Sequence, residues 1–306
     1  MKNIPGYVDL QVNGHNGVDF SSLELTESDF LRASEELMAT GTIVFLPTVI
    51  TSDMAVYRRN LPLIRRAVSK AGLEKNIPGL HLEGPFLCDK PGAIGCHNPA
   101  WVQAPTPAAV DELIRIAEGF IKIFTVAAEV PGMDKLIEHA VSQRITVSIG
   151  HHLADKPAID AAVRAGATAL THLGNGIPNQ LDRHRNPIWY GLAEDALTAM
   201  LITDGHHLPP EFIKCAIRIK GVDKTVVVSD AAPVTGLKPG KYHILGNDAV
   251  LEANGKFHNP AKGYLCGSAS TMSDCMRYLA SLDLLSEAEL QQVGYYNPLK
   301  LINHQL

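Results

Sequence analysis

The sequence predicts an α/β protein, and among α/β folds it favours a (β/α)8 barrel formed by a single domain over residues 1–306. Eight short apolar segments alternate with amphipathic helical segments along the chain. Parallel strands need an intervening crossover, usually a helix, so this alternation indicates a parallel sheet. The count of eight fits a closed barrel, and a doubly wound open sheet is the alternative. A length of 306 residues suits one such barrel.

The strand predicted over Thr42–Ile50 is apolar on both faces, as a strand buried on both sides in a parallel sheet should be. Eight strands are predicted. They cover Tyr7–Val12, Thr42–Ile50, Ile77–Leu82, Ile121–Ala127, Ile145–Ile149, Ala167–Leu170, Leu197–Ile202 and Thr225–Val228. The predicted helices cover Thr26–Thr40, Ser52–Ala71, Pro107–Glu118, Met133–Gln143, Asp155–Ala165, Pro210–Ile219, Ser270–Leu282 and Glu287–Val293. A small β excursion is predicted near residues 236–258, where an Asn-Gly pair marks a turn.

Composition and charge exclude several classes of protein. The net charge is −5 and no stripe of Lys and Arg forms, so a nucleic acid is not a predicted partner. No run approaches the ~18 apolar residues that a membrane span needs, so no membrane partner is predicted. Five cysteines without a CxxC pair argue against a disulfide framework. A reducing, cytoplasmic location is therefore the prediction, and the first ten residues lack the apolar core of a secretion signal.

Polar and ionisable residues stand at the carboxyl ends of most predicted strands. In a barrel, the carboxyl ends of the strands form the face that carries function. These ends carry Gln11 and Asn13 (first strand), Glu83 (third), His151 (fifth), His172 (sixth), His207 (seventh) and Asp230 (eighth). A single histidine at a strand end is most often a hydrogen-bonded core residue. Histidines at three consecutive strand ends, with an acid on either side in chain order, favour a metal site instead.

The chemistry that such a cluster supports is metal-assisted hydrolysis. One carboxylate and two imidazoles suit Zn²⁺ or a similar divalent ion, and three protein ligands leave a position open for water. A metal lowers the pKa of its water towards ~7. Asp230 would then take the proton from this water and deliver it to a leaving group. An amide or another carbonyl derivative is the predicted substrate, although Ser229-Asp230 could also form a simple Asx turn.

Eight sequence motifs, in order along nearly the whole chain, resemble those of the N-acetylglucosamine-6-phosphate deacetylase family of the amidohydrolase superfamily. HLEGPF and THLxN together are the most specific of them. The motifs are DLQVNGHNGVDF (Asp9–Phe20), HLEGPFL (His81–Leu87), HNP (His97–Pro99), GHH (Gly150–His152), THLGN (Thr171–Asn175), DGHH (Asp204–His207), SDAAPVTG (Ser229–Gly236) and GSASTM (Gly267–Met272).

The resemblance implies a metal-dependent barrel hydrolase that removes acetate from an N-acetyl amino-sugar phosphate, yielding glucosamine-6-phosphate when the substrate is N-acetylglucosamine-6-phosphate. It assigns roles by motif position. The implied metal ligands are Glu83, His151 and His172. Asp230 is the implied general base and then acid, and His97 polarises the amide carbonyl or holds the sugar. The implied substrate contacts are Asn175, Gly176, His207 and a phosphate-binding arginine, for which Arg185 fits the family's Arg-x-Pro pattern better than Arg183.

The first-strand motif predicts one metal ion per chain. Many amidohydrolases carry His-x-His at this place and bind two ions. This chain has Gln11-Val12-Asn13 instead, which resembles the subset that binds one. Neutral amides are poor ligands for a second zinc ion.

Three departures from the family pattern leave the substrate open. The family's accessory β-sandwich is expected to be missing or vestigial, and a homo-oligomer, taken as a dimer, is expected to cover the barrel side. Leu173-Gly174-Asn175-Gly176 replaces a bulkier run, and the loop over residues 179–190 is longer. Two alternatives therefore stand beside the deacetylase: an amidohydrolase for another N-acyl or cyclic amide substrate, and an inactive sugar-phosphate-binding homologue.

Overall fold

Eight parallel strands form one sheet in chain order in the computed structural model, which describes residues 4–306. The strands are β1 (Tyr7–Val12), β2 (Thr42–Ile50), β3 (Leu80–Glu83), β4 (Ile121–Val126), β5 (Thr146–Ile149), β6 (Ala169–Leu170), β7 (Thr198–Ile202) and β8 (Thr225–Val228). A parallel bridge between Val12 and Ala231 joins the end of β1 to the segment after β8. The sheet therefore closes into the predicted (β/α)8 barrel, and each strand lies within three residues of its predicted bounds.

Helices connect the strands on the outside of the barrel. They are α1 (Glu27–Ala39), α2 (Met54–Ala71), α3 (Pro107–Ile116), α4 (Met133–Ser142), α5 (Lys156–Ala165), α6 (Pro187–Leu192), α7 (Pro210–Lys220), α8 (Met272–Ser281), α9 (Glu287–Gln291) and α10 (Asn297–Leu301), with a π-helical turn between the last two. None of the described helices combines the length and apolar character needed to cross a bilayer.

Helix α6 was not predicted from the sequence, which suggested an irregular loop there. The side chain of Asn186 accepts hydrogen bonds from the backbone N–H groups of Ile188 and Trp189 and so caps the helix. Pro187 occupies the first turn, where its missing N–H costs nothing. The helix has only six residues, so the spacing of its apolar residues is too short to show a helical periodicity in the sequence.

The two ends of the barrel are filled differently. At the amino ends of the strands, Leu299 and Ile302 pack into the apolar interior beside Val8 and Val226. Asn297 is buried there and donates its side-chain N–H groups to the backbone oxygens of Val222 and Thr225. The carboxyl ends open into a polar cavity.

A four-stranded antiparallel sheet follows the barrel. It consists of β9 (Gly240–Ile244), β10 (Asn247–Leu251), β11 (Phe257–Asn259) and β12 (Tyr264–Leu265), and so extends past the β excursion predicted near residues 236–258. Its apolar face packs with Ile50 and Val234 beside the barrel mouth. Within residues 4–306, all other strands belong to the barrel or to a short hairpin over residues 14–19, so this part of the chain holds no separate β-sandwich.

Candidate active site

A cavity of about 260 Å³ lies at the carboxyl ends of the barrel strands. Nearly all the residues singled out from the sequence line it. These are Asn13, Glu83, His97, His151, His172, Asn175, Gly176, His207 and Asp230. Arg183 and Arg185 are exposed in the loop after β6 and do not line this cavity, so the phosphate-binding role of Arg185 stays a prediction.

Three strand-end residues of the site have left-handed backbone conformations. The φ angles are 50° at His151, 32° at His172 and 50° at Asp230. Residues other than glycine rarely adopt this region, at a cost of about 1–3 kcal/mol each, and such strain concentrates at functional sites. The backbone therefore turns sharply where β5, β6 and β8 end, and these turns direct the three side chains into the cavity.

The Glu83 carboxylate is the centre of the cluster. Its Oε1 atom lies 3.1 Å from Nε2 of His151, 2.9 Å from Nε2 of His172 and 3.1 Å from the amide nitrogen of Gln11. Burial alone would raise the pKa of Glu83. The imidazoles of His151 and His172 outweigh burial and hold the pKa of this carboxyl well below its ordinary value. Glu83 is therefore an anionic group at the centre of two imidazole rings.

The hydrogen bonds of the histidines assign their tautomers. Nδ1 of His151 lies 2.7 Å from the carbonyl oxygen of Ala93, so Nδ1 carries the hydrogen and Nε2 offers its lone pair to the cavity. His97 has the opposite arrangement, because its Nδ1 accepts from the backbone N–H of Thr51 at 3.3 Å. Burial lowers the pKa of His97 to about 3, so the ring is neutral and Nε2 bears its single N–H.

These tautomers distinguish His151 from His97 as a metal ligand. Ligand atoms of Glu83, His97 and His151 lie within 4.8 Å of one another, and Nε2 of His172 lies 3.1 Å from Nε2 of His151. His97 points an N–H at the cluster and has no lone pair to offer there. Nε2 of His151 and Oε1 of Glu83 lie 3.1 Å apart, so a positive charge is needed between them: a proton on the ring, or a metal ion to which Nε2 offers its lone pair. The donor set of one carboxylate and imidazole nitrogens therefore fits a divalent ion.

Asp230 lines the same cavity as Glu83. The side-chain N–H of Asn13 donates to its Oδ1 at 2.8 Å. Burial, and next the nearby charge of Glu83, raises the pKa of Asp230 to about 6. Gly267 packs against this turn so closely that a Cβ atom there would lie 2.9 Å from the carbonyl oxygen of Asp230. The sequence alone did not reveal that contact.

His207 is held in place by a buried acid. Its Nδ1 lies 2.7 Å from the Asp204 carboxylate, which also accepts the backbone N–H of His207. Burial alone would lower the pKa of His207, but the Asp204 charge outweighs it and the pKa is raised. The DGHH motif thus forms an oriented imidazole that lines the cavity.

Close packing requires the glycines in the loop after β6. Gly176 has a φ of 62°, and a Cβ atom there would lie 2.9 Å from Nδ1 of His151. At Gly174 a Cβ atom would meet the ring of Phe212 at 2.8 Å. The side chain of Asn175, between them, donates to the carbonyl oxygen of His172. The loop therefore supports the two histidines, and the ring of Phe212 lies beside Gly174.

Comparison with known proteins was made by sequence and by structure, and no protein-family model matches the chain. N-acetylglucosamine-6-phosphate deacetylase of Bos taurus is 32% identical over 313 residues, which cover 97% of this chain and 74% of that protein. N-acetylgalactosamine-6-phosphate deacetylase of Escherichia coli O157:H7 is 27% identical over 299 residues, covering 97% of this chain and 77% of that protein.

A solved structure extends the likeness to three dimensions. N-acetyl-D-glucosamine-6-phosphate deacetylase of Mycobacterium smegmatis, solved as a variant in complex with N-acetyl-D-glucosamine-6-phosphate, superposes with a TM-score of 0.90 at 26% identity. The match covers 98% of this chain and 78% of that one. Sequence identity, coverage and superposition agree, and the chain belongs to the N-acetylglucosamine-6-phosphate deacetylase family.

Proposed function

We propose that the chain hydrolyses the acetamide of N-acetylglucosamine-6-phosphate, releasing glucosamine-6-phosphate and acetate. The observation that carries this proposal is the meeting of Glu83, His151, His172 and Asp230 in one cavity of a deacetylase-family barrel. The substrate in the complex of the Mycobacterium smegmatis relative supports the same small-molecule class for this chain.

One divalent ion, zinc, is proposed to be held by Glu83, His151 and His172. Such an ion supplies Lewis acidity and lowers the pKa of water towards neutrality. Gln11 and Asn13 donate their amide N–H groups to Glu83 and Asp230, so these amides support the site as hydrogen-bond donors. Neutral amides are also poor ligands for a second zinc ion. Metal analysis should return one equivalent per chain, and two equivalents in an active, fully loaded sample would contradict this stoichiometry.

Asp230 is proposed to move the proton. Asn13 occupies its Oδ1 atom, which leaves Oδ2 to accept a proton from the attacking water. The same carboxyl then donates that proton to the amine nitrogen as the bond between carbon and nitrogen breaks. This shuttle requires a fixed distance between Asp230 and the reacting carbonyl, and the buried Asn13 contact restricts the carboxyl to one orientation.

The remaining cavity residues are proposed to orient the substrate. His97 presents an N–H, which can donate to the acetamide oxygen as negative charge develops on it. Its low pKa keeps the ring neutral, so Nδ1 stays an acceptor for Thr51 and Nε2 stays a donor. His207, Asn175 and the backbone of Gly176 are proposed to contact the sugar. Arg185 is proposed to bind its phosphate, which requires this loop to approach the cavity when substrate is present.

An acetate-release assay over a panel of sugars tests the proposal. The panel holds N-acetylglucosamine-6-phosphate, N-acetylgalactosamine-6-phosphate and unphosphorylated N-acetylglucosamine. Release from the first that is abolished by a chelator and restored by zinc is the expected result. Preference for the galactose epimer would instead favour the activity that the Escherichia coli relative is named for. Equal rates with and without the phosphate would remove the role of Arg185.

Two further outcomes of this assay bear on the alternatives. Turnover of another N-acyl or cyclic amide substrate, with none of the panel hydrolysed, would show an amidohydrolase of different specificity. Tight sugar-phosphate binding without turnover in metal-loaded protein would show an inactive binding homologue. The presence of both the predicted ligands and the proton-transfer residue Asp230 supports an active enzyme.

A homodimer and a cytoplasmic location complete the proposal. All five cysteines are free, as expected for a reducing compartment. Light scattering of the metal-loaded chain would test the dimer, which a monomer at micromolar concentration would contradict.

A further inference from the structure

Strand β1 is irregular just below the site. Asp9 pairs with Phe45 and Val12 with Pro47, so three steps along β1 face two steps along β2. This is a β-bulge, which re-aims the side chains of the bulged strand. Leu10 points into the apolar barrel interior, and Gln11 beside it reaches Glu83 Oε1 with its amide.

The bulge leaves backbone groups that the strand ladder cannot pair, and side chains pair them. The backbone N–H of Val12 donates to the hydroxyl of Thr48 at 3.0 Å. Nδ1 of His81 lies 2.8 Å from the carbonyl oxygen of Leu10. The backbone N–H of Gln11 donates to Oδ1 of Asp9 at 3.3 Å. Such side chains are needed because a buried backbone group without a partner costs about 1–3 kcal/mol.

Among these side chains, Asp9 also contacts the residue that follows β8, the strand next to β1 where the barrel closes. Its Oδ2 accepts the hydroxyl of Ser229 at 2.5 Å, and its Oδ1 accepts the backbone N–H of Ser229 at 3.1 Å. Asp9 is completely buried. One carboxylate therefore joins the bulge in β1 to the tip of β8 at the place where the barrel closes.

Both residues that Asp9 holds stand next to groups of the reaction. Ser229 directly precedes Asp230, whose φ of 50° is a strained conformation that its surroundings must impose. Gln11 is the amide that contacts Glu83. We propose that Asp9 is a positioning residue: its carboxylate keeps Gln11 against Glu83 and keeps Asp230 in the left-handed conformation that aims it into the cavity. The catalytic part of this inference rests on the proposed function.

Two substitutions at Asp9 separate the effect of its hydrogen bonds from the effect of simply changing the side chain. Asp9→Asn keeps one oxygen for the two backbone N–H groups and can donate from its nitrogen to the Ser229 hydroxyl, so it should retain kcat within about fivefold. Asp9→Leu keeps a side chain that branches at Cγ, with methyl groups in place of the two oxygens, and removes all three acceptor contacts. It should lower kcat by about 10- to 100-fold with KM within about threefold, the pattern expected when groups are misplaced and substrate contacts remain.

Asn297→Ala is the matched control, because Asn297 is also a buried polar side chain that holds β8, but at the opposite end of the barrel. It should leave kcat within about twofold in folded protein. Zinc release to a competing chelator adds a measurement that needs no turnover. Asp9→Leu should release zinc about tenfold faster, because Gln11 no longer secures Glu83, and Asn297→Ala should match the wild type.

The inference is overturned if folded, zinc-loaded Asp9→Leu matches the wild type in both kcat and zinc release, or if Asn297→Ala loses kcat equally. Should Asp9→Leu fail to fold, Ser229→Ala is judged by the same criterion for kcat, because it removes the hydroxyl that Asp9 accepts. A wild-type chain that releases no acetate contradicts the proposed function alone, because zinc release still tests the hold of Asp9 on Gln11.

Discussion

One end of the barrel is filled with apolar side chains, and the other end is lined by polar and ionisable ones. At the amino ends of the strands, Leu299 and Ile302 fill the interior with apolar side chains, and Asn297 donates to the backbone oxygens of Val222 and Thr225. At the carboxyl ends the interior is polar, and buried side-chain atoms of Gln11 and Asn13 lack hydrogen-bond partners among the described residues. The first end resembles any well-packed core, and the second does not.

At the polar end, left-handed backbone and buried carboxylates occur together in one site. Left-handed φ angles occur at the carboxyl ends of three barrel strands, at His151, His172 and Asp230. Buried carboxylates are also found on this side, at Glu83 and Asp230. Strain and buried charge lower stability, so a fold keeps them only where they are over-determined by packing or needed for function. The comparison teaches that substitutions at the two ends should separate stability from activity.

The largest effect should come from removing a proposed metal ligand at the polar end. His172→Ala should lose the bound ion and lower kcat/KM by about 10³-fold or more, because the several kcal/mol that a metal contributes disappear. His97→Ala should keep one equivalent of metal, since its Nε2 is a donor, and lose only about 10- to 100-fold. Metal analysis of both variants decides whether His172 or His97 completes the ligand set with Glu83 and His151. Loss of metal in His97→Ala with retention in His172→Ala would reverse the ligand assignment.

Asp230→Asn tests proton transfer at the same end. The amide cannot accept a proton, so kcat should fall by about 10²- to 10⁴-fold, while the metal content and the unfolding temperature stay at or above those of the wild type. Asp223→Asn serves as the control, because Asp223 is an exposed acid just before the opposite end of β8. Full activity in Asp230→Asn would remove the proton-transfer role.

The same division explains what the sequence could predict. The strands and the candidate ligands follow from a regular rule: an apolar run ends, and a polar residue one or two positions later faces the cavity. Glu83, His151, His172 and Asp230 all obey it. Arg185 was selected on local pattern alone, and the structure leaves it exposed in its loop, because the path of a long loop depends on packing that local sequence does not encode.

Contacts made by the backbone were beyond sequence reasoning. The tautomers of His97 and His151 depend on a backbone N–H at Thr51 and a backbone oxygen at Ala93, and neither residue type signals this role. The bulge in β1 was missed for a related reason. Every residue of Tyr7–Val12 is buried, so a one-residue slip changes which side chains face inward without changing the apolar pattern.

Leu299→Ala should produce the reverse result at the apolar end. Removing most of this side chain from the barrel interior should lower the free energy of unfolding by about 2–3 kcal/mol. The value of kcat per folded molecule should stay within about twofold, because the cavity lies at the other end of the strands. Urea unfolding and acetate release on the same preparation measure both quantities. A tenfold loss of kcat in fully folded protein would show that the two ends are coupled.

The smallest effect concerns the pH dependence of stability, which only the polar end should show. The pKa of Asp204 is lowered from 3.8 to about 2, because the interaction with His207 outweighs the opposing effect of burial. The contribution of ionised Asp204 to stability is therefore present above pH 3.8 and is lost as the pH falls towards 2. The pKa of His207 is raised above 6.5, so its contribution is lost as the pH rises through that raised value. The difference in unfolding free energy between wild type and Asp204→Asn should therefore be largest between about pH 4 and 6.5, at about 1–2 kcal/mol, and should shrink towards pH 2. Asn297→Ala, at the apolar end, should lower stability by a constant amount across this range, because no titrating group is altered. A constant difference for Asp204→Asn as well would show that the pair with His207 contributes no pH-dependent stability.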